Sequence, residues 1–142
     1  MNNYFECAIR YEKTAENGKI VTVTEKYLVD ALTFSEAESR IIEEMKPFIS
    51  GSLAVKSIKR LKINELFLQR DGNKYFKAKV NFIILDEDKG TEKKIASPML
   101  ISAFNLKEAR ENLVDGMKGT MADYEVESIT ETKIIDYFKF NN

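Results

Sequence analysis

The chain has 142 residues, with 22 Lys and Arg against 23 Asp and Glu, no histidine, no tryptophan and one cysteine. Its length suits a single domain spanning 1–142, and its net charge of −1 is not that of a globally basic nucleic-acid binder. Without histidine, and with Cys7 alone, it holds no Ser-His-Asp or Cys-His centre, no Cys/His zinc site and no internal disulfide.

Met1 to Cys7 shows neither the basic start nor the apolar run of a signal peptide. The longest uncharged stretch, Ile95 to Leu106, falls well short of the roughly 20 residues of a membrane span. A cytoplasmic protein with no membrane contact is therefore expected.

The first element is an alternating strand with Phe5, Cys7, Ile9 and Tyr11 on one face and Tyr4, Glu6, Ala8 and Arg10 on the other. Asn17-Gly18 marks a hairpin turn. A second strand runs from Ile20 to Ala31, its apolar alternation of Val21, Val23, Tyr27 and Val29 broken by Glu25. Thr33-Phe34-Ser35-Glu36 is a capping box, and Phe34, Ala37, Ile41 and Met45 form the apolar stripe of a helix that Pro47 stops near Met45. A third strand covers Ala54 to Ile63, with a phase slip between Val55 and Ile58 that signals a β-bulge near Ser57. The chain then passes through Leu66-Phe67-Leu68 to Asp71-Gly72, read as a hairpin turn into Tyr75.

The same order then returns. Phe76, Ala78, Val80 and Phe82 share a strand face opposite Tyr75, Lys77, Lys79 and Asn81, and Asp86 to Gly90 makes the turn. The next strand, Lys93 to Ala103, contains Pro98, which predicts an edge position or a bulge. Asn105 caps a helix with the stripe Leu106, Ala109, Leu113 and Met117. A last strand, Tyr124 to Ile134, slips phase near Ser128.

The letters repeat with the pattern. Leu28 to Lys46 matches Leu100 to Lys118 at six of nineteen positions, and Val55 to Phe67 matches Val126 to Phe138 at six of thirteen. The expectation is an α+β protein built from two internally duplicated ββαβ units. Repeat one covers about 4–70 and repeat two about 74–140. Antiparallel sheets carry the two helices on one face, in one fused domain.

Several runs also resemble a known family. They are Phe5-Glu6-Cys7 through Tyr11-Glu12-Lys13, Tyr27 to Ala31, Ile41 to Met45 through Pro47 to Gly51, and Gly116 to Asp123. Together they resemble the domain of unknown function 4494 family, found in gut Bacteroidetes and in their phages and mobile elements. The resemblance implies a small intracellular protein of bacterial or phage origin. It implies no activity and carries over no functional residue.

The residues themselves offer few chemical candidates. Asp86-Glu87-Asp88 has the spacing of the start of a calcium loop, but the twelfth loop position is Ser97, where a bidentate Glu is required. Cys7 lies on an apolar strand face without a histidine to activate it. Glu36, Glu43, Glu44, Glu108, Glu111 and Asp115 read as solvated helix faces. No catalytic residue, cofactor or metal ligand is assigned, and a non-enzymatic module is expected, acting through a protein partner or as a homodimer.

Charge is unevenly distributed. Leu53 to Asn81 holds eight basic and two acidic residues, and Glu108 to Glu131 seven acidic and two basic. If the third strand neighbours the Tyr75 strand, then Tyr4, Arg10, Lys56, Lys59, Arg60, Lys62, Tyr75, Lys77 and Lys79 form a basic face with aromatics. Such a face suits single-stranded nucleic acid, a nucleotide or a phosphate ligand.

Overall fold

The structure is a computed structural model and describes residues 3–68 and 72–140. Its elements run β1 (Asn3–Thr14), β2 (Ile20–Ala31), α1 (Phe34–Met45), a 3-10 turn (Lys46–Phe48), β3 (Leu53–Leu61), β4 (Glu65–Phe67), β5 (Lys74–Asp86), β6 (Thr91–Ala103), α2 (Leu106–Gly116), β7 (Asp123–Glu131) and β8 (Ile134–Phe138). The protein is α+β, with two helices and eight strands in two mixed sheets among the described residues. It divides into two compact units: 1–61 together with 133–142, and 62–132.

In the first unit the strand order is β3-β1-β2-β8. β1 pairs antiparallel with β2 along its whole length, from Asn3↔Ala31 to Thr14↔Ile20, so the Asn17-Gly18 turn sets the register. Gly18 adopts a left-handed φ of 81° there, which a side chain would resist. Thr33 Oγ1 accepts from the Glu36 backbone N–H at 3.1 Å and caps α1. Ala37, Ile41 and Met45 of α1 are buried in one cluster with Phe5, Cys7, Ile9, Tyr27, Val29 and Ala31. The first residue of the expected stripe, Phe34, is instead 51% exposed.

In the second unit the order is β4-β6-β5-β7. β5 and β6 pair antiparallel from Lys74↔Ala103 to Asp86↔Thr91. Asn105 Oδ1 accepts from the Glu108 N–H at 2.8 Å to cap α2, while Glu108 Oε1 accepts from the Phe104 N–H at 3.3 Å. Leu113 of α2 and Met117 just beyond it are buried with Ala78, Val80, Met99 and Ile101. Leu106, like Phe34, is more than half exposed.

Both expected bulges are present as register shifts. Ala8↔Ser57 is followed by Ile9↔Val55, which leaves Lys56 as the extra residue. Lys79↔Ser128 is followed by Val80↔Val126, which leaves Glu127.

The pairing of β1 with β2 and β3, and of β5 with β6 and β7, is antiparallel, as expected; one expectation is extended and one overturned. The sheets are mixed, not purely antiparallel: β8 runs parallel to β2 with Leu28↔Tyr137 and Val29↔Phe138, and β4 runs parallel to β6 with Leu66↔Leu100 and Phe67↔Ile101. Each ββα unit is thus completed by a short strand from the other half of the sequence. Consequently the stretch from Leu66 to Tyr75 is not a β-hairpin, because β6 stands between β4 and β5. Asp71, expected in that turn, and Arg70 lie outside the described residues. Pro98 is paired on one side with Lys79 of β5, and β4 begins its pairing only at Met99. The Pro98 carbonyl accepts from the Asn64 N–H at 2.7 Å, so the proline sits where the second neighbour starts and its missing donor does no harm.

Gly116 ends α2 against β4: a Cβ there would lie 2.5 Å from Cδ1 of Phe67. Gly116→Ala should therefore destabilise the protein by about 1–3 kcal/mol through displacement of Phe67, despite the helix propensity gained. Gly51→Ala, which meets nothing within 4 Å, should stay within about 0.5 kcal/mol. Urea unfolding of both variants tests this; equal stabilities would contradict the packing of β4 on α2.

Candidate functional site

Each unit has one long edge strand, β3 in the first and β7 in the second. Neither strand contains a fully buried residue, unlike the central strands; Leu53, Val55 and Ile58 of β3 and Tyr124 and Ile129 of β7 pack partly against the cores, and each strand has a neighbour on one side only. In the second unit, β7 borders a groove of about 910 Å³ lined by Leu106, Arg110 and Val114 of α2 and by Tyr124, Val126 and Ile129 of the strand. The apolar groups there are accessible: Leu106 is 55%, Val114 48% and Val126 38% exposed. Lys107 also lines the groove, with Ser128 opposite, which makes an apolar floor with a basic helix rim.

The corresponding corner of the first unit is covered. Phe34 packs edge-on to Phe5 with ring centroids 4.9 Å apart. The Arg60 guanidinium lies 5.6 Å from the Phe5 centroid and 6.0 Å from that of Phe34, a cation–π arrangement. Arg60, expected on the outer sheet face, is thus on the helix side of its sheet, as its pairing with Phe5 requires.

The nine residues of the expected basic face are dispersed between the two units. The premise that brought them together fails, because β3 pairs with β1 and β5 lies between β6 and β7. In the first unit Tyr4, Arg10 and Lys59 share the face away from α1, with Glu6 directly opposite Lys59. Glu6 also pairs with Lys26 at 3.6 Å, and Tyr4 stands against Tyr137 at 6.2 Å. Lys56 occupies the bulge and Lys62 lies beyond β3 in the second unit. There Lys77 and Lys79 are exposed on β5, opposite Thr130 and Ser128. Tyr75 is only 9% exposed and offers no ring face for a base to stack on.

Sequence reasoning missed a polar cluster on the helix side of the first sheet. Tyr11 donates its hydroxyl to Glu25 Oε1 at 2.6 Å and Tyr27 donates to the same oxygen at 3.0 Å, with Lys13 Nζ 3.7 Å from Oε2. The only signal was the carboxylate interrupting an apolar alternation. Burial, and then the Glu25 carboxylate, push the Tyr11 phenol up to about 12 and raise that of Tyr27 as well. These phenols hold Glu25 as hydrogen-bond donors and keep their protons at neutral pH. The second unit has Phe82, Ser97 and Met99 at the equivalent places. Burial also pushes the Cys7 thiol up to about 12, aided by Glu6, so it packs as an apolar group. Asp30 accepts from the Tyr137 hydroxyl at 3.4 Å, and its backbone carbonyl accepts from Arg40. Among the described residues no three His, Cys, Asp or Glu side chains are grouped to hold a metal ion, and no helix is long and apolar enough to cross a membrane.

The fold and groove define a two-unit α+β protein with long edge strands. The chain belongs to the family described as Domain of unknown function (DUF4494), whose model matches residues 3–140. Among the curated proteins none matches the chain.

The raised phenols set an alkaline limit. A folded-state value above the unfolded value of about 10 stabilises fully below pH 10, and that contribution is lost as pH rises through the folded value of about 12. Glu25→Gln removes the charge that holds the protons, so phenolate absorbance should appear at lower pH in the folded variant. If all six tyrosines of the wild type ionise near 10 without unfolding, the cluster does not exist as described.

Proposed function

We propose that the chain is a non-enzymatic, cytoplasmic binding module, internally duplicated, that acts by capturing a protein segment along β7. The observation that carries this reading is the accessible apolar groove lying directly beside an edge strand without fully buried residues. A segment entering extended would pair its backbone with β7, and its alternate side chains would fill the groove between α2 and the strand. Covering the exposed parts of Leu106, Val114 and Val126 contributes about 1 kcal/mol each, roughly half of full burial. That is enough to favour a specific contact over bare edge pairing. The duplication is supported by the identical strand orders, the matching bulges at Lys56 and Glu127, and the two equivalent caps.

The alternative, a single-stranded nucleic acid, nucleotide or phosphate ligand on a basic aromatic face, has less support. Its tyrosine is buried at position 75, its Arg60 covers Phe5 and Phe34, and its remaining lysines are divided between the units.

A photo-crosslinking residue in place of Ser128 tests the reading in cells. The expected result is a defined protein adduct that Val126→Lys combined with Leu106→Asp reduces about tenfold or more. Adducts formed only with nucleic acid, or unaffected by the groove variant, would contradict it.

A further inference from the structure

We propose that the segment β7 captures is β3 of a second copy of this chain, joined antiparallel edge to edge; this rests on the reading of β7 as a capture edge. Two similarly placed edges are complementary in charge. β3 carries Lys56, Lys59 and Arg60 and no acidic residue, whereas β7 carries Asp123, Glu125, Glu127 and Glu131 and no basic one. The reversal of sign follows the repeat. Lys56 and Glu127 are the two bulge residues, and Arg60 and Glu131 occupy matching places in the repeat.

Part of the acidic charge is already answered within the unit, Glu125 by Lys94 at 2.8 Å and Glu131 by Lys74 at 3.8 Å. Asp123 and Glu127 on one edge, and Lys56 and Lys59 on the other, make no ion pair among the described residues. A partner would meet these four, although Glu127 also accepts from Asn81 at 3.5 Å and Lys59 stands opposite Glu6.

The layer above repeats the match with the signs reversed. Lys107 and Arg110 rim the groove on α2, and the residue of α1 matching Arg110 is Glu38, which is exposed. An antiparallel β3–β7 junction keeps both helices on one side of the continued sheet. It therefore sets α1 of one copy beside α2 of the other, acidic rim to basic rim. Phe34 and Leu106, the two exposed residues that open the helices, supply the apolar content between the rims. Like edges repel, so β3 against β3 and β7 against β7 are disfavoured. The contact uses a different surface on each copy.

Sedimentation of the full chain as a function of concentration and salt tests this. The wild type should self-associate, and the association should weaken as salt screens the pairs. Lys56→Glu with Lys59→Glu should weaken it by about tenfold or more, as should Asp123→Lys with Glu127→Lys. Mixing the two reversed variants should restore association between them, since the reversed β3 of one matches the reversed β7 of the other and their unreversed β7 and β3 also match. Thermal melting checks that each variant is folded. A chain that stays monomeric at about 1 mM in low salt, or one whose association ignores both reversals, overturns the proposal. If that monomer still forms a Ser128-site adduct with another protein, only the identity of the partner has failed. If it forms none, the capture reading has failed with it.

Discussion

The parallel pairing of β8 with β2 and of β4 with β6 is the constraint on which the rest depends. A ββαβ unit makes a three-stranded sheet whose second strand is left with one bare side, Leu28 and Val29 in one unit, Leu100 and Ile101 in the other. A parallel neighbour cannot be supplied by a tight turn from the adjacent strand. It arrives instead from the far half of the sequence, and it brings an aromatic. Phe138 stacks on Tyr27 at 5.5 Å, and Phe67 packs where Gly116 leaves room. These short strands occupy one side of each sheet, and β3 and β7 remain as the long open edges.

The open edges are then governed by charge and by the bulges. An extra residue on each twists the strand and limits the flat stretch available for pairing, and a one-signed set of side chains discourages contact with its own kind. Such devices keep open edges from promiscuous aggregation. The groove beside β7 adds apolar area that β3 lacks, because Arg60 lies over Phe5 and Phe34 on the first unit. The two edges are thus equivalent in backbone position and unequal in what they offer.

Much of the local structure was legible because its causes are local. The alternation of Phe5, Cys7 and Ile9, the caps at Thr33 and Asn105, the Asn17-Gly18 turn and the phase slips at Ser57 and Ser128 each have a physical reason within a few residues. The destination of Leu66-Phe67 and Tyr137-Phe138 was not legible. A strand of three to five residues carries too little periodicity to declare a partner, and a parallel neighbour leaves no turn signal. That single gap misplaced β5 beside β3 and with it the basic face, which required the two strands to be adjacent. The exposure of Phe34 and Leu106 was hidden for a related reason: a helical stripe shows which residues share a face, not how far along the helix the sheet extends.

The most direct test of the crossing is a nuclear Overhauser experiment on the amide and α protons of the central strands. The account predicts contacts of Leu28 with Tyr137 and of Leu100 with Leu66, across the parallel ladders. Contacts of Leu28 with Leu66 and of Leu100 with Tyr137 would mean that each half closes on its own last strand, and would contradict it.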